Sequence, residues 1–149
     1  MGAQVTINRP ANDVFAYLVE LHDADWRSGV EEMRLEGEDP HGLGVRHVEV
    51  RRMGRRRIET TAEAVTYEPA RRWAVQRATG PVRPRVTYEL ADVDGARTEL
   101  RFRFALGQLD GAGKLLWPLG KVVSPLVERS ARKDLARLAT HLEGAAPTR

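Results

Sequence analysis

The second half of the chain alternates polar and apolar residues over a long stretch and then becomes strongly apolar. Two segments, residues 82–92 and 96–106, flank an Asp94-Gly95 turn signal. The apolar positions of this hairpin fall on one face: Val86, Tyr88, Leu90, Leu100, Phe102, Phe104 and Leu106. A period of two is typical of an antiparallel sheet with one buried face. The apolar stretch 115–142 is the predicted helix that covers this face.

The first half predicts further strands and a short helical region. Strands are predicted at residues 3–8, 30–36, 44–53, 55–67 and 71–79. Between the first two, Pro10 suits a first helical position and Asp13 complements the helix dipole. Apolar residues at helical spacing continue to Leu21, and a second short helical turn is predicted at 22–26. Pro84 predicts an edge, a bulge or a strand start, and an edge near 82–85 could pair between subunits.

The C-terminal apolar stretch is interrupted by Pro118, Gly120 and Pro125. Ser124 and Pro125 suit the cap and first position of a helix, so a second helix could begin there. One continuous, kinked helix is the alternative. We expect Gly144 to end the helix and residues 145–149 to form a frayed tail. No linker or repeat divides the chain, which predicts a single domain over residues 1–144.

Composition excludes several kinds of chemistry. The 149 residues contain no cysteine, which excludes disulfides, thiolate metal ligands and a cysteine nucleophile. No signal peptide is visible and no apolar run is long enough to span a membrane, so stable membrane insertion is not expected and a cytoplasmic location is predicted. Lysine occurs only at Lys114, Lys121 and Lys133, whereas arginine is abundant. Arginine excess can indicate carboxylate or phosphate recognition. Because the arginines are spread along the chain, the favoured interpretation is a GC-rich genome.

Five arginines crowd the predicted hairpin around Gly54: Arg51, Arg52, Arg55, Arg56 and Arg57. Such a cluster could bind phosphates or anionic lipid headgroups. The simpler interpretation is a solvated hairpin end. No aromatic residue interleaves with the arginines and no nucleic-acid-reading motif is present, so no nucleic-acid partner is expected.

The four histidines do not have zinc-ligand spacing, and no metal or cofactor is predicted. His47 and Glu49 share one face of a predicted strand. This pair could form half of a metal site or an acid–base pair. The pattern favours a solvent-facing pair instead, with Val48 and Val50 buried on the opposite face. The motifs of serine hydrolases, P-loop proteins and dinucleotide-binding proteins are absent.

Four local phrases, in order, resemble one protein superfamily. They are residues 5–18 (VTINRPANDVFAYL), 26–30 (WRSGV), 67–73 (YEPARRW), and 88–90 with 95–100 (YEL and GARTEL). The chain resembles the START-related, birch-pollen-allergen-like superfamily, which includes polyketide cyclases/dehydrases and lipid-transport domains. The resemblance implies an α+β helix-grip fold: a bent antiparallel sheet of about seven strands wrapped around a long C-terminal helix. Two short helices follow the first strand, and an apolar cavity lies between sheet and helix.

The resemblance also indicates which residues face that cavity. The expected lining residues are Trp26, Thr60, Trp73, Val75, Tyr88, Phe102, Phe104, Leu116, Trp117, Val123 and Val127. Trp26 would line the entrance or plug one end of the sheet. Residues 111–120 would form a mobile lid, a loosely docked part of the core or a weak membrane contact.

The predicted function is binding of a hydrophobic or amphipathic small molecule, such as a lipid, an aromatic compound or a polyketide, without cofactor or metal. Tyr88 and Arg77 would orient its polar end. One alternative is a polyketide cyclase/dehydratase that uses the same cavity, with Tyr88, His47 and Arg77 as candidate catalytic residues. The other alternative is a partner-binding or anion-binding module that uses the basic hairpin. Either a monomer or a homodimer is compatible with the sequence.

Overall fold

The computed structural model describes residues 2–20, 30–37, 42–78, 82–109 and 117–144. Their element order is β1 (Gly2–Ile7), α1 (Ala11–Glu20), β2 (Val30–Glu36), β3 (Arg46–Met53), β4 (Arg56–Glu68), β5 (Arg72–Arg77), β6 (Val82–Asp92), β7 (Thr98–Leu109) and α2 (Trp117–Gly144). The helix-grip architecture predicted from the sequence is therefore confirmed. The second short helix predicted at 22–26 and the tail at 145–149 lie outside the described residues.

All seven strands form one antiparallel sheet in the order β1-β7-β6-β5-β4-β3-β2. The two edge strands are therefore β1 and β2, so β6 is not an edge strand, and of the three positions predicted for Pro84 the structure shows the bulge. Strand β6 lies between β5 and β7. Pro84 is tolerated there because the register between β6 and β7 shifts between Arg83 and Arg85, at a bulge where its missing N–H leaves no gap in the ladder.

Helix α2 is continuous from Trp117 to Gly144, so Ser124-Pro125 does not begin a separate helix. Its C-terminal half places Leu135, Leu138 and Leu142 on one stripe, and each is at most 5% exposed. This stripe packs with residues of β1, α1 and β7 to form the main core. The predicted dry face of the β6–β7 hairpin is confirmed, because Leu90 and Leu100 belong to the same core.

The loop between β1 and α1 fastens the end of α2 to the sheet. Arg9 Nε donates a hydrogen bond to the carbonyl of Leu142 at 2.8 Å, which satisfies one of the unpaired carbonyls at the helix C-terminus. The amide of Asn8 donates to Glu143 Oε1 at 3.0 Å. Thr98 is fully buried, and its hydroxyl donates to the carbonyl of Arg9 at 2.8 Å. The core end of the molecule is thus closed by packing and by hydrogen bonds.

Candidate functional site

A cavity of about 410 Å³ lies between the inner face of the sheet and α2, beyond the closed core. The sheet contributes His47, Glu49, Arg51, Thr60, Ala62, Val75, Arg77, Pro84, Val86, Tyr88, Phe102 and Phe104, and the helix contributes Ser130, Ala131, Asp134 and Leu135. Because neighbouring strands are paired in register, these sheet residues form rows across the sheet. The chemistry of the rows changes along the cavity.

The row nearest the core is aromatic. Trp73 pairs with Tyr88, and Tyr88 pairs with Phe102, across adjacent strands. The rings of Trp73 and Tyr88 are stacked with centroids 5.7 Å apart. The rings of Tyr88 and Phe102 meet edge to face at 5.6 Å. Such pairs contribute about 0.5–1.5 kcal/mol each beyond the area they bury, so they stabilise this end of the cavity wall.

The next row is aliphatic and continues the apolar surface. Ala64, Val75, Val86 and Phe104 are consecutive register partners on β4, β5, β6 and β7. A bulge after Ala64 restores the inward direction of the β4 side chains, so that Tyr67 also packs against the core. The aromatic and aliphatic rows together form a continuous apolar surface at this end of the cavity.

The following rows are polar. His47, Ala62 and Arg77 are register partners on β3, β4 and β5. Glu49 and Thr60 form the next row. Exposure increases along β3: His47 is 3% exposed, whereas the side chains of Glu49 and Arg51 are 15% and 47% exposed. The cavity therefore runs from an apolar interior to a polar, solvent-facing end.

Arg77 is the least satisfied polar residue of this wall. Among the described residues, its Nε is the one buried side-chain nitrogen or oxygen that has no hydrogen-bond partner. Leaving a buried donor unpaired costs about 1–3 kcal/mol. Arg77 is nevertheless one of the residues that line the cavity.

Other charged residues line the same cavity as Arg77. Arg51 and Glu49 form an ion pair at 2.8 Å, so each neutralises its neighbour. Asp134 lines the opposite wall, on α2. The cavity thus presents a cation on the sheet side and a carboxylate on the helix side.

The preference for a solvent-facing His47–Glu49 pair is wrong, because both residues line the cavity. Val50 is fully buried as predicted, although it lies on the outer face of the sheet. Its register partners are Glu32 and Glu59, on the strands to either side. Ion pairs from these glutamates reach over β3, with Glu32 bound to Arg57 and Glu59 bound to Arg34, both at 3.1 Å. These long side chains shield Val50 from water, which a single strand's pattern does not reveal.

The basic hairpin is largely neutralised by the strand beside it. Arg52 contacts Glu31 at 2.7 Å, and Arg57 contacts both Glu31 and Glu32. Residues 30–36 and 46–63 together contain seven arginines and six glutamates. So small an excess creates little attraction for phosphates or anionic membranes, which favours the solvated interpretation of this hairpin.

Most of the predicted lining residues can be located. Thr60, Val75, Tyr88, Phe102 and Phe104 line the cavity, as do His47 and Arg77, whereas Trp73 is packed in the core beside it. Trp26 and Leu116 lie outside the described residues, as does most of the predicted lid. Trp117, Val123 and Val127 belong to α2, but their side chains lie outside the described part.

Sequence reasoning missed four lining residues of α2: Ser130, Ala131, Asp134 and Leu135. Asp134 lies four residues before Leu138 and three after Ala131, which places a carboxylate on the apolar stripe of α2. A carboxylate within an apolar stripe is the sequence feature from which Asp134 could have been predicted as a cavity residue. Sequence reasoning also missed Ala62, Pro84 and Val86, whose small or apolar side chains have no distinctive chemistry. Among the described residues there is no group of three or more histidine, aspartate or glutamate side chains placed to hold a metal. No helix within the described ranges is both long enough and apolar enough to cross a membrane.

The sequence is similar to one family of known proteins. The sequence matches the model of the family described as "Polyketide cyclase / dehydrase and lipid transport" over residues 2–143. It has no significant match among curated proteins.

Solved structures share the fold at low sequence identity. TTHA0849 from Thermus thermophilus is 18% identical with a TM-score of 0.69, and 99% of each chain is covered. The Zhui aromatase/cyclase from Streptomyces sp. R1128 is 22% identical with a TM-score of 0.67, covering 96% of this chain and 92% of the other. Ara h 8.0201 is 11% identical with a TM-score of 0.68, covering 97% of both. With a family match that spans nearly its whole length, the chain belongs to the polyketide cyclase/dehydrase and lipid transport family.

Proposed function

We propose that this protein binds an amphipathic, mainly hydrophobic small molecule in the cavity between the sheet and α2. The observation that carries the proposal is the graded cavity wall. Aromatic and aliphatic rows at one end give way to the His47 and Glu49 rows at the other. The volume of about 410 Å³ falls within the range of small-molecule pockets, roughly 300–1,000 Å³. Membership in a family described by both cyclases and lipid transport supports the same class of ligand.

The wall also suggests how the ligand lies. Burying apolar surface gives about 25 cal/mol per Å², so the hydrocarbon part gains most over Val86, Phe102 and Phe104. A polar group buried there without a partner would cost free energy. It is better placed beside Tyr88, whose phenol can donate or accept a hydrogen bond, or beside the polar rows.

Native mass spectrometry of the freshly purified protein, followed by organic extraction, tests the proposal. Val86→Trp would fill the aliphatic row, and Thr87→Trp is the matched control because the next residue of β6 faces the opposite side of the sheet. We expect a bound lipid-like or aromatic species, or uptake of one from a panel of fatty acids, sterols and aromatic polyketides. Binding should be lost in Val86→Trp and kept in Thr87→Trp. A folded protein that takes up none of these compounds would contradict the proposal.

A second candidate function is cyclisation or dehydration of a bound polyketide. It is favoured by the ionisable groups that line the cavity, namely His47, Glu49, Asp134 and Tyr88. Dehydration needs a base that removes a proton next to a carbonyl and an acid that protonates the departing hydroxyl. The test is conversion of a synthetic aromatic β-hydroxyketone to its enone. An enzyme would lose turnover in His47→Gln or Tyr88→Phe while keeping substrate affinity, whereas a carrier shows no turnover in the unmodified protein.

Location and assembly remain predictions. The lack of cysteine fits a reducing compartment, and cell fractionation would test the cytoplasmic location. Light scattering would distinguish a monomer from a homodimer.

A further inference from the structure

We propose that the cavity selects ligands whose polar end is a carboxylate, held in a notch between His47 and Arg77. This inference rests on the proposed function and goes further by naming the charged group that the site recognises. The notch is the row formed by His47, Ala62 and Arg77 on three adjacent strands, and all three residues line the cavity.

The notch has the right size because its middle residue is small. Ala62 is the register partner of both His47 and Arg77. Adjacent strands lie about 4.8 Å apart, so the backbones of His47 and Arg77 are separated by roughly 10 Å. A single methyl group occupies the floor between two much longer side chains. A group of two or three heavy atoms fits between them, whereas a larger residue at position 62 would fill the space.

The chemistry of the notch favours an oxygen anion. The guanidinium of Arg77 presents N–H donors in a planar fork that matches the two oxygens of a carboxylate. Arg77 lines the cavity and forms no ion pair with another described residue, so its charge is available to an incoming anion. A neutral histidine supplies one N–H donor and one acceptor nitrogen, and a protonated one supplies two donors. His47 bounds the notch opposite Arg77, and its ring lies beside Trp73 with centroids 6.5 Å apart.

The charged residues near the notch do not cancel its preference for an anionic ligand. Glu49 lies two residues from His47 on the same face, but Arg51 pairs with it at 2.8 Å. Asp134 lines the helix wall rather than the row itself. Within the described part of the cavity, Arg77 is thus the cation whose charge is not balanced by a neighbour on the sheet. A ligand carboxylate would balance it.

The experiment compares two probes that differ only at the polar end, decanoate and 1-decanol, by isothermal titration calorimetry at neutral pH. We expect wild-type protein to bind decanoate at least 10-fold more tightly. Arg77→Met keeps the unbranched stem and removes the charge, and should weaken decanoate binding about 10- to 100-fold while leaving 1-decanol within about 3-fold. Ala62→Val should likewise weaken decanoate selectively. Arg85→Met is the matched control, because Arg85 is exposed on the neighbouring strand and bonds to Gln76 instead.

Three other outcomes would overturn the carboxylate notch. Equal binding of both probes by wild-type protein would overturn the carboxylate notch and leave the proposed function standing. Loss of both probes to the same degree in Arg77→Met would also overturn it, because Arg77 would then act through the shape of the cavity. If neither probe binds to folded wild-type protein, the notch and decanoate-sized ligands are both excluded. The extraction experiment then decides the proposed function separately.

Discussion

Replacing Arg77 by methionine is expected to stabilise the ligand-free protein, although it removes a charged residue from the wall of a cavity. Arg77 is partly buried, and its Nε lacks a hydrogen-bond partner among the described residues. Methionine has a similar unbranched stem and no donor to satisfy. At position 77 the methionine side chain would lie on the same face of β5 as Val75, where it extends the aliphatic row.

The size of the effect follows from the group that is lost. An unsatisfied buried donor costs about 1–3 kcal/mol. Arg77 is only partly buried and lines the cavity, so we take the lower end of this range, about 1 kcal/mol, as the expected gain. For a chain of this length, 1 kcal/mol corresponds to a rise in Tm of about 2–4 °C.

Urea denaturation measures this difference directly. The unfolding midpoint of Arg77→Met should rise at unchanged m value. Arg85→Met, on the outer face, should stay within about 0.5 kcal/mol of wild type. A free energy of unfolding lower than that of the Arg85→Met control would refute the reasoning, because it would show that the Arg77 guanidinium is satisfied in the folded protein. Saturating decanoate should reverse the order of stability, since a ligand stabilises the state that binds it.

Three further predictions concern the fold. Thr98→Val should lower the free energy of unfolding by about 1–2 kcal/mol in chemical denaturation, because the part-buried carbonyl of Arg9 loses its hydroxyl donor. Ala70→Gly should raise it by about 0.5 kcal/mol, since Ala70 has a φ of 61° that costs an alanine more than a glycine; a lower midpoint would contradict this. Asp94 has a pKa below its usual range, mainly because its side chain accepts a hydrogen bond from Arg97. Its stabilising contribution is therefore present above the unfolded pKa and lost as pH falls through the lowered value, so Asp94→Ala should be less stable than wild type at neutral pH, and the difference should vanish in strong acid.

The fold could be predicted because its elements have one-sided patterns. In β7, charged and apolar side chains alternate over residues 99–104. Only the strand face that carries Leu100 and Phe102 can therefore be buried. The β6–β7 pairing follows from the turn at Gly95, and the core stripe of α2 follows from helical spacing. These signals are local, and tertiary structure does not reverse them.

The polar wall of the cavity could not be predicted in the same way, because β3 has no clearly dry face. His47, Glu49 and Arg51 alternate with Val48 and Val50, and a flat sheet would bury the valines against the helix. Here Val50 is buried on the outer face by glutamates and arginines of the flanking strands. Which face of β3 turns inward therefore depends on contacts between β2 and β4, which the pattern of one strand does not contain.

The separation of core and cavity explains how the fold tolerates an unsatisfied arginine. The residues that hold the structure together lie at one end, where Leu100, Leu138 and Val14 are fully buried and Arg9 fastens the end of α2. The cavity rows from Val75 outward contribute less to that core and can carry groups chosen for a ligand. On the proposed function, a ligand anion bound at Arg77 would offset the free energy lost there in the empty protein. A residue that weakens the empty protein and strengthens the complex is what selection for binding, rather than for stability alone, would retain.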